Sequence, residues 1–448
     1  MDTLLAARAQ MEVSLAFHMI FAALGIGMPL LMLIAERRWL TTGSEHYRVL
    51  ARTWGKATAL TFAIGAVSGT ALSFELGLLW PRFMAEAGGV IGPAFALEGY
   101  AFFIEAIFLG LYLYGWDRLS PRAHWWAGVP VAVSGMMSGV LVVAANAWMQ
   151  APVQPDGAAA AFAPFLSPRW LDLALHSTLS CYIATGFAVA GVYAAGLLRG
   201  RDDAYHRSGI RIALAVAAVT ALLQPLSGDL SARMAARHQP AKLAAAEALY
   251  ETRTHAPLTI GGIPDDDART VRWGLEIPAG LSLLVGHDPA HEVTGLDAFP
   301  REDWPNVTIV HLAFQVMVAA GFALIAVGAL FWLLQWKRRG REPRLIWHLL
   351  LLASPLGYVA LQAGWLVTEV GRQPWVIYEV MRTADGVTPV DGVGITLFGF
   401  SVLYLLLGIA LIVLLRALAV HNTGRAALAA NGLLARSPDD DATTGARA

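Results

Sequence analysis

Nine long apolar runs constrain this chain more than any other feature. They cover residues 11–35, 57–80, 93–116, 125–149, 171–198, 210–227, 307–336, 345–367 and 392–420. Each is near the ~20 residues that a helix needs to cross a bilayer. A backbone in lipid must satisfy its own hydrogen bonds, and runs of this length do so as helices. The sequence therefore predicts an all-α integral membrane protein with nine transmembrane helices. Only 15% of the 448 residues are charged and the mean hydropathy is +0.54, against about 25% charged residues in an ordinary soluble protein. A net charge of −1 offers no basic field for nucleic acid. The single cysteine, Cys181, excludes an internal disulfide framework and a Cys-rich metal cluster. No basic region precedes the first run, so it reads as a retained span.

Orientation follows from the loops. Arg37, Arg38, Arg48, Arg52 and Lys56 follow the first span, and Arg118 and Arg122 follow the third. Arg199, Arg201, Arg207 and Arg211 lie after the fifth span, and Lys337, Arg338, Arg339, Arg341 and Arg344 after the seventh. The opposite side holds Arg8, Arg82, Arg169, Arg372 and Arg382 in its short segments. The N-terminus is thus expected outside and the C-terminus inside. The expected divisions are residues 1–228 with six spans, an outer loop at 229–306, residues 307–421 with three spans, and a disordered tail at 422–448. A loop that long is more than a connector. Its stretch 242–252 is Ala-rich and reads as helical, and Ile263-Pro-Asp-Asp-Asp267 reads as a turn. Tryptophans gather at span ends as an aromatic belt, with Trp273 in the loop as the exception.

On that orientation the unusual residues share a depth. His18, His176, Met317, Glu98, Glu105 and Glu369 all fall in the outer half, close to the long loop. His and Met are the usual haem-iron ligands, and a carboxylate suits a high-spin iron. A lone membrane histidine is more often a satisfied polar group, and a lone Met more often core filler. Their common depth favours ligation. Gly77, Gly99, Gly186 and Gly321 offer room for a flat macrocycle, although glycine is common in membrane helices. Glu98 and Glu105 are seven residues apart, so they stack on one helix face with about 10 Å of rise, as a proton relay would require. Ser138 extends that relay weakly. Asn146, Trp148, Met149 and Gln150 read as interfacial, as does His311, and Cys181 reads as core filler.

The densest constellation is Gly364-Trp-Leu-Val-Thr-Glu-Val-Gly-Arg-Gln-Pro-Trp375. It sets a carboxylate, Glu369, and a cation, Arg372, where an apolar run meets the surface, with Trp365 one turn earlier on the same face. A Glu–Arg pair capping a helix end is the simplest account of it. A buried carboxylate at that depth also suits a metal or a proton.

These motifs resemble subunit I of the cytochrome bd-type quinol oxidases along nearly the whole chain. The 364–375 segment carries the resemblance most specifically. It is supported by Glu98-Gly-Tyr-Ala-Phe-Phe-Ile-Glu105, Gly115-Trp-Asp-Arg118, Ala145-Asn-Ala-Trp-Met-Gln150, His176-Ser177, Lys242-Leu-Ala-Ala-Ala-Glu247 and Met317-Val318. The resemblance implies a bacterial inner-membrane protein with three haems near the periplasmic face. His176 and Met317 would hold a low-spin haem b. His18 and Glu369 would serve two high-spin haems, a haem b and either haem d or a second haem b, with Glu98 close by. Glu98 and Glu105 would carry protons from the cytoplasm. Lys242 and Glu247 would stand in the quinol loop, Arg372 would balance propionate charge, and Trp365 would lie against a haem edge. Ubiquinol or menaquinol would be the substrate. A second integral subunit of related fold, and a small single-helix subunit, would be the partners. The chain departs from familiar members in three places. Gln315 stands where they carry an Arg, the Glu98–Glu105 spacing is one residue shorter, and the loop is short. The branch that is insensitive to cyanide therefore stays open.

Two other classes compete. A secondary transporter would use Glu98, Glu105 and Glu369 as proton sites, and predicts midplane sites with broken helices. A haem electron-transfer module would explain His176 and Met317 but leave His18 and Glu369 idle.

Overall fold

The computed structural model describes residues 2–201, 203–338 and 342–421, with side chains to residue 418. The expected tail at 422–448 lies outside the described residues. Among the described residues, nine helical segments are long and apolar enough to cross a membrane. They are α1 (Thr3–Thr42), α2 (Glu45–Leu79), α3 (Pro81–Tyr114), α4 (Pro121–Gln150), α5 (Trp170–Leu198) and α6 (Ala204–His238). After the short loop helix α7 (Pro240–Glu247) come α8 (Val307–Arg338), the pair α9 (Arg344–Ala353) and α10 (Leu356–Val370), and α11 (Val393–His421). The eighth span is broken at Ser354-Pro355, where the proline lacks the amide that a continuous helix needs.

Several helices outrun their apolar runs. Helix α3 begins at Pro81, with the proline in its first turn. Glu98 therefore sits at the middle of the helix and Glu105 two turns beyond it. His18 likewise lies well along α1, which starts at Thr3. His176 keeps its place in the first two turns of α5, and Glu369 ends α10. Helix α6 continues to His238, so the loop proper starts about ten residues later than the apolar pattern indicates.

The helices pack unevenly. At the end expected to face the cytoplasm, Met32, Leu50, Trp54, Tyr112, Phe187, Tyr193, Tyr205, Leu214, Phe331 and Trp347 form a dense core. There the Trp54 indole donates to the Tyr193 hydroxyl at 2.9 Å. The fully buried Glu36 meets His124 Nδ1 at 2.7 Å, tying α1 to α4. Small residues bring α5 against its neighbours. A Cβ on Gly186 would meet the Ala217 side chain at 2.6 Å, so this glycine serves helix packing rather than a macrocycle. A Cβ on Gly357 would stand 2.5 Å from Ala184 Cα. Gly357→Ala is expected to cost about 1–3 kcal/mol by overpacking, read as a lower unfolding midpoint in detergent.

The loop folds over α6 and α8. Helix α7 ends at Glu247, and Ala248 turns left-handed with φ 50, so the helix stops five residues short of the Ala-rich stretch. Two small antiparallel pairs follow, β1 (Leu258–Ile260) with β4 (Leu275–Ile277) and β2 (Ile263–Asp265) with β3 (Thr270–Arg272). Of the turn expected at residues 263–267, the first three residues form β2 and the turn itself covers residues 266–269, joining β2 to β3. His311 is not interfacial. It is fully buried, with its ring between the carbonyls of Ala246 and Gly261 at 2.8 and 3.0 Å, and it pins the loop to α8.

Candidate functional site

One cavity of about 2160 Å³ brings most of the expected residues together. His18 of α1, Glu98 and Glu105 of α3, His176 of α5, Met317 of α8, and Trp365 and Glu369 of α10 all line it. Arg372 after α10, and Lys242 and Glu247 of the loop, line it as well. Ordinary small-molecule sites enclose about 300–1,000 Å³, so this space admits more than one large planar group. Gly99 and Gly321 lie on its wall with nothing within 4 Å of an added Cβ. Gly77 also faces open space but is not on the wall.

The two histidines are oriented by the same device. His18 Nδ1 is 2.9 Å from Ser68 Oγ, and that hydroxyl donates to the carbonyls of Ile64 and Gly65 at 3.0 and 3.1 Å. Having spent its proton, the serine must accept from the ring, so Nδ1 carries the hydrogen and Nε2 is a lone-pair donor. His176 Nδ1 meets Ser227 Oγ at 3.0 Å, and Ser227 donates to the Gln224 carbonyl at 2.9 Å. The Gln224 amide lies 3.1 Å from His176 Nε2 and would have to swing aside for a metal. Glycines give both rings room: a Cβ on Gly69 would lie 3.0 Å from His18, and one on Gly228 would lie 3.5 Å from His176. Met317 Sδ faces Gly364, where a Cβ would stand 2.9 Å away.

Glu369 does form the simple pair, with Arg372 Nη2 at 2.5 Å from Oε2. The arginine is not thereby satisfied, because its Nε and Nη1 are buried without a partner, as is Trp365 Nε1. Asn146 Nδ2 donates to Glu369 Oε1 at 2.7 Å. Gln150 Nε2 donates to Asn146 Oδ1 at 2.5 Å, and Lys242 Nζ donates to Gln150 Oε1 at 2.8 Å. Asn146 and Gln150 are therefore not plain interfacial residues. They join the loop lysine to the helix-end carboxylate. Their spacing of four, one turn on the same face, was the available signal. Ser68, Ser227 and Gln224 were legible only as polar residues in apolar runs.

Glu98 accepts from Ser138 Oγ at 2.9 Å, so the serine belongs with the carboxylates. Glu105 Oε1 is buried without a partner. Neither makes an ion pair among the described residues. In the loop, burial holds the Lys242 amine well below its usual range, and the charges of Arg169 and Arg372 add to this while Glu369 and Asp172 oppose it. Burial pushes the Glu247 carboxyl up to about 8, and its Oε2 has no partner. The site thus offers an amine whose charged form burial disfavours and a carboxyl poised near neutrality, beside a cavity lined by two histidines, a thioether and a carboxylate.

Haem fits these residues. Among the described residues, no three His, Cys, Asp or Glu side chains cluster to hold a bare ion, so isolated histidines suit an iron whose other ligands come from a macrocycle. The orphaned N–H groups of Arg372 suit carboxylates on such a group.

The chain is similar to known proteins along nearly its whole length. Residues 6–423 match the family described as Cytochrome bd terminal oxidase subunit I. The chain is 36% identical to a Bacillus subtilis protein named as a cytochrome bd menaquinol oxidase subunit I, over 93% of this chain and 96% of that one. It is 31% identical to the cytochrome bd ubiquinol oxidase subunit 1 of the same organism, over 92% and 93%. The bd oxidase structure from Geobacillus thermodenitrificans superposes with a TM-score of 0.88 at 36% identity, covering 94% of this chain and 99% of that one. The chain belongs to the cytochrome bd terminal oxidase subunit I family, the haem-containing membrane subunits of quinol-oxidising, oxygen-reducing respiratory oxidases.

Proposed function

We propose that this subunit oxidises quinol at the loop and reduces oxygen to water in the cavity, building a proton-motive force without a pump. The observation that carries the reading is the shared cavity, with two serine-oriented histidines, Met317 and Glu369 on its wall. His176 and Met317 would hold a low-spin haem b. His18 and Glu369 would each serve a high-spin haem, one a haem b and the other haem d or a second haem b. When bound, these groups supply electron transfer and oxygen reduction.

The protein's own part is to move and hold protons. Glu247, with Lys242 near the other end of α7, would take the quinol proton and release it outside. Glu98 with Ser138, and Glu105 deeper on the same face, would bring protons from the cytoplasm. A site near one face, fed with protons from the other, separates charge. Arg372 would balance propionate charge and Trp365 would pack at a haem edge. The N-terminus and the loop at 229–306 would then be periplasmic and the C-terminus cytoplasmic, in a bacterial inner membrane. A second integral subunit of related fold, with a small single-helix subunit, would complete the oxidase. The substrate is a quinol. The relatives named include both a menaquinol and a ubiquinol oxidase, so the head group stays open.

A reduced-minus-oxidised spectrum of the purified complex, with and without carbon monoxide, tests this. Bands of b-type haem with a carbon-monoxide response support the assignments, and a red-shifted chlorin band would add haem d. Protein without haem overturns them.

Glu247 makes a second expectation. Its folded pKa of about 8 lies above the ordinary 4.5. Below 4.5 both folded and unfolded chains hold the proton. Between 4.5 and about 8 the folded chain holds the one that the unfolded chain has lost, so stability falls as pH rises through that window and levels off above it. As a base, Glu247 becomes competent over the same rise. Quinol oxidation should increase with pH toward about 8, and Glu247→Gln should flatten that limb and lower the rate about 10²-fold or more.

A further inference from the structure

Arg169 caps the start of α5, seven residues before His176. Seven residues return to nearly the same helix face, so the two backbone positions lie about 10 Å apart along the axis. It is only 3% exposed. Its Nε donates to both oxygens of Asp172 at 3.3 and 3.2 Å, and its Nη2 donates to Asp172 Oδ2 at 2.9 Å. Ser231 Oγ donates to that same oxygen at 3.0 Å. Asp172 thus holds one edge of the fork, while Nη1 is buried with no partner on a residue that lines the cavity. A buried cationic donor of this kind is costly unless an acceptor meets it.

Arg372 shows the same state from the other side, with Nη1 and Nε buried and unpartnered. Both guanidinium groups lie near enough to Lys242 to disfavour its charged form. Gln315, on α8 near Met317, cannot share the task. Its Oε1 accepts from the Gly261 amide and its Nε2 donates to the Thr259 carbonyl, both at 2.9 Å, so the side chain is turned to the loop, and as a neutral amide it brings no charge.

We propose that Arg169 Nη1 is an anion-anchoring site for a carboxylate of the group held by His176, doing from α5 what Gln315 on α8 cannot. The ligand class is the propionate of a haem, so the proposal rests on the His176 assignment above. Planar guanidinium groups suit carboxylates, and an ammonium does not reproduce their two-pronged geometry. Arg169 is a positioning residue: it touches the edge of the group and not its iron.

Two variants of the intact complex test it. Arg169→Gln with Asp172→Asn removes both charges together and leaves no lone buried carboxylate. Arg169→Lys keeps the ion pair and loses the fork. Both should keep the carbon-monoxide difference spectrum. In the double variant the low-spin haem should titrate at a lower potential, because a cation beside it favours the reduced form. In both variants that haem should be lost to a haem-capturing protein about tenfold faster, as for one charge-assisted hydrogen bond. Wild-type potential and wild-type loss rate in both variants would overturn the proposal and make Arg169 a partner of Asp172 alone. Wild-type protein that holds high-spin haem but no low-spin haem would instead overturn the His176 assignment, and the anchor with it.

Discussion

His176→Ala removes the low-spin haem bands and lowers quinol-driven oxygen uptake by about 100-fold or more, while carbon monoxide still binds. The expectation comes from geometry rather than from the residue type alone. Ser227 fixes the proton on Nδ1 and so leaves Nε2 as the ring's lone pair, now met by the Gln224 amide. Groups that orient a metal-binding histidine are themselves worth about 10–100-fold, so the ligand itself should be worth at least the upper end. The rest of the wall stays intact, because His18 depends on Ser68 of α2 and not on α5 or α6. The spectrum and the oxygen electrode separate the two sites. Loss of both signals together would mean that α5 had unfolded. Ser227→Ala is then the finer test, since it frees the ring without removing it. An uptake rate that stays at the wild-type level in His176→Ala, with low-spin bands retained, would remove the residue from the scheme.

Glu105→Gln should be nearly as severe and leave every haem band in place. Glu105 lies below Glu98 on one face of α3, and its Oε1 is buried without a donor. A glutamine keeps the shape and cannot pass a proton. General acid–base groups typically contribute about 10²–10⁴-fold, and oxygen uptake should fall within that range. Glu98→Gln keeps an acceptor for Ser138 and should likewise slow turnover without disturbing stability. Flash photolysis of the carbon-monoxide-bound, reduced enzyme in oxygen distinguishes the roles. Electron transfer should proceed and proton uptake from the inner bulk should lag. Unchanged uptake in both variants would move the proton path off α3.

Fold class was legible because lipid leaves the backbone few options, and nine apolar runs became nine helical segments. Their ends were less legible. First turns such as residues 81–84 add helix outside the apolar run, which a hydropathy pattern does not reveal. The residues lining the cavity were legible through their chemistry: His18, His176, Met317 and Glu369 are unusual in or beside apolar runs. Their supports were not. Asn146, Gln150, Ser68, Ser227 and Arg169 look ordinary until the fold puts an acceptor or a void beside them. The same holds for His311, whose two carbonyl neighbours lie 65 and 50 residues earlier in the chain.

The unequal packing of the two ends has a consequence for assembly. At one end large aromatic side chains fill the space between helices, whereas toward the other a smaller packed cluster around Trp80, Phe83 and Trp148 flanks a hollow that side chains do not fill. Any group that binds only the folded chain adds its binding free energy to folding, and here nearly all of that gain falls on the hollow end. The unloaded subunit should therefore be a half-hardened intermediate, firm at one pole and prone to local opening at the other. Limited proteolysis of unloaded protein should nick the loop and the helix ends around the hollow first, and loading should silence those cuts. A cell could thus tell finished subunits from unfinished ones by softness alone, with no receptor for the cofactor itself.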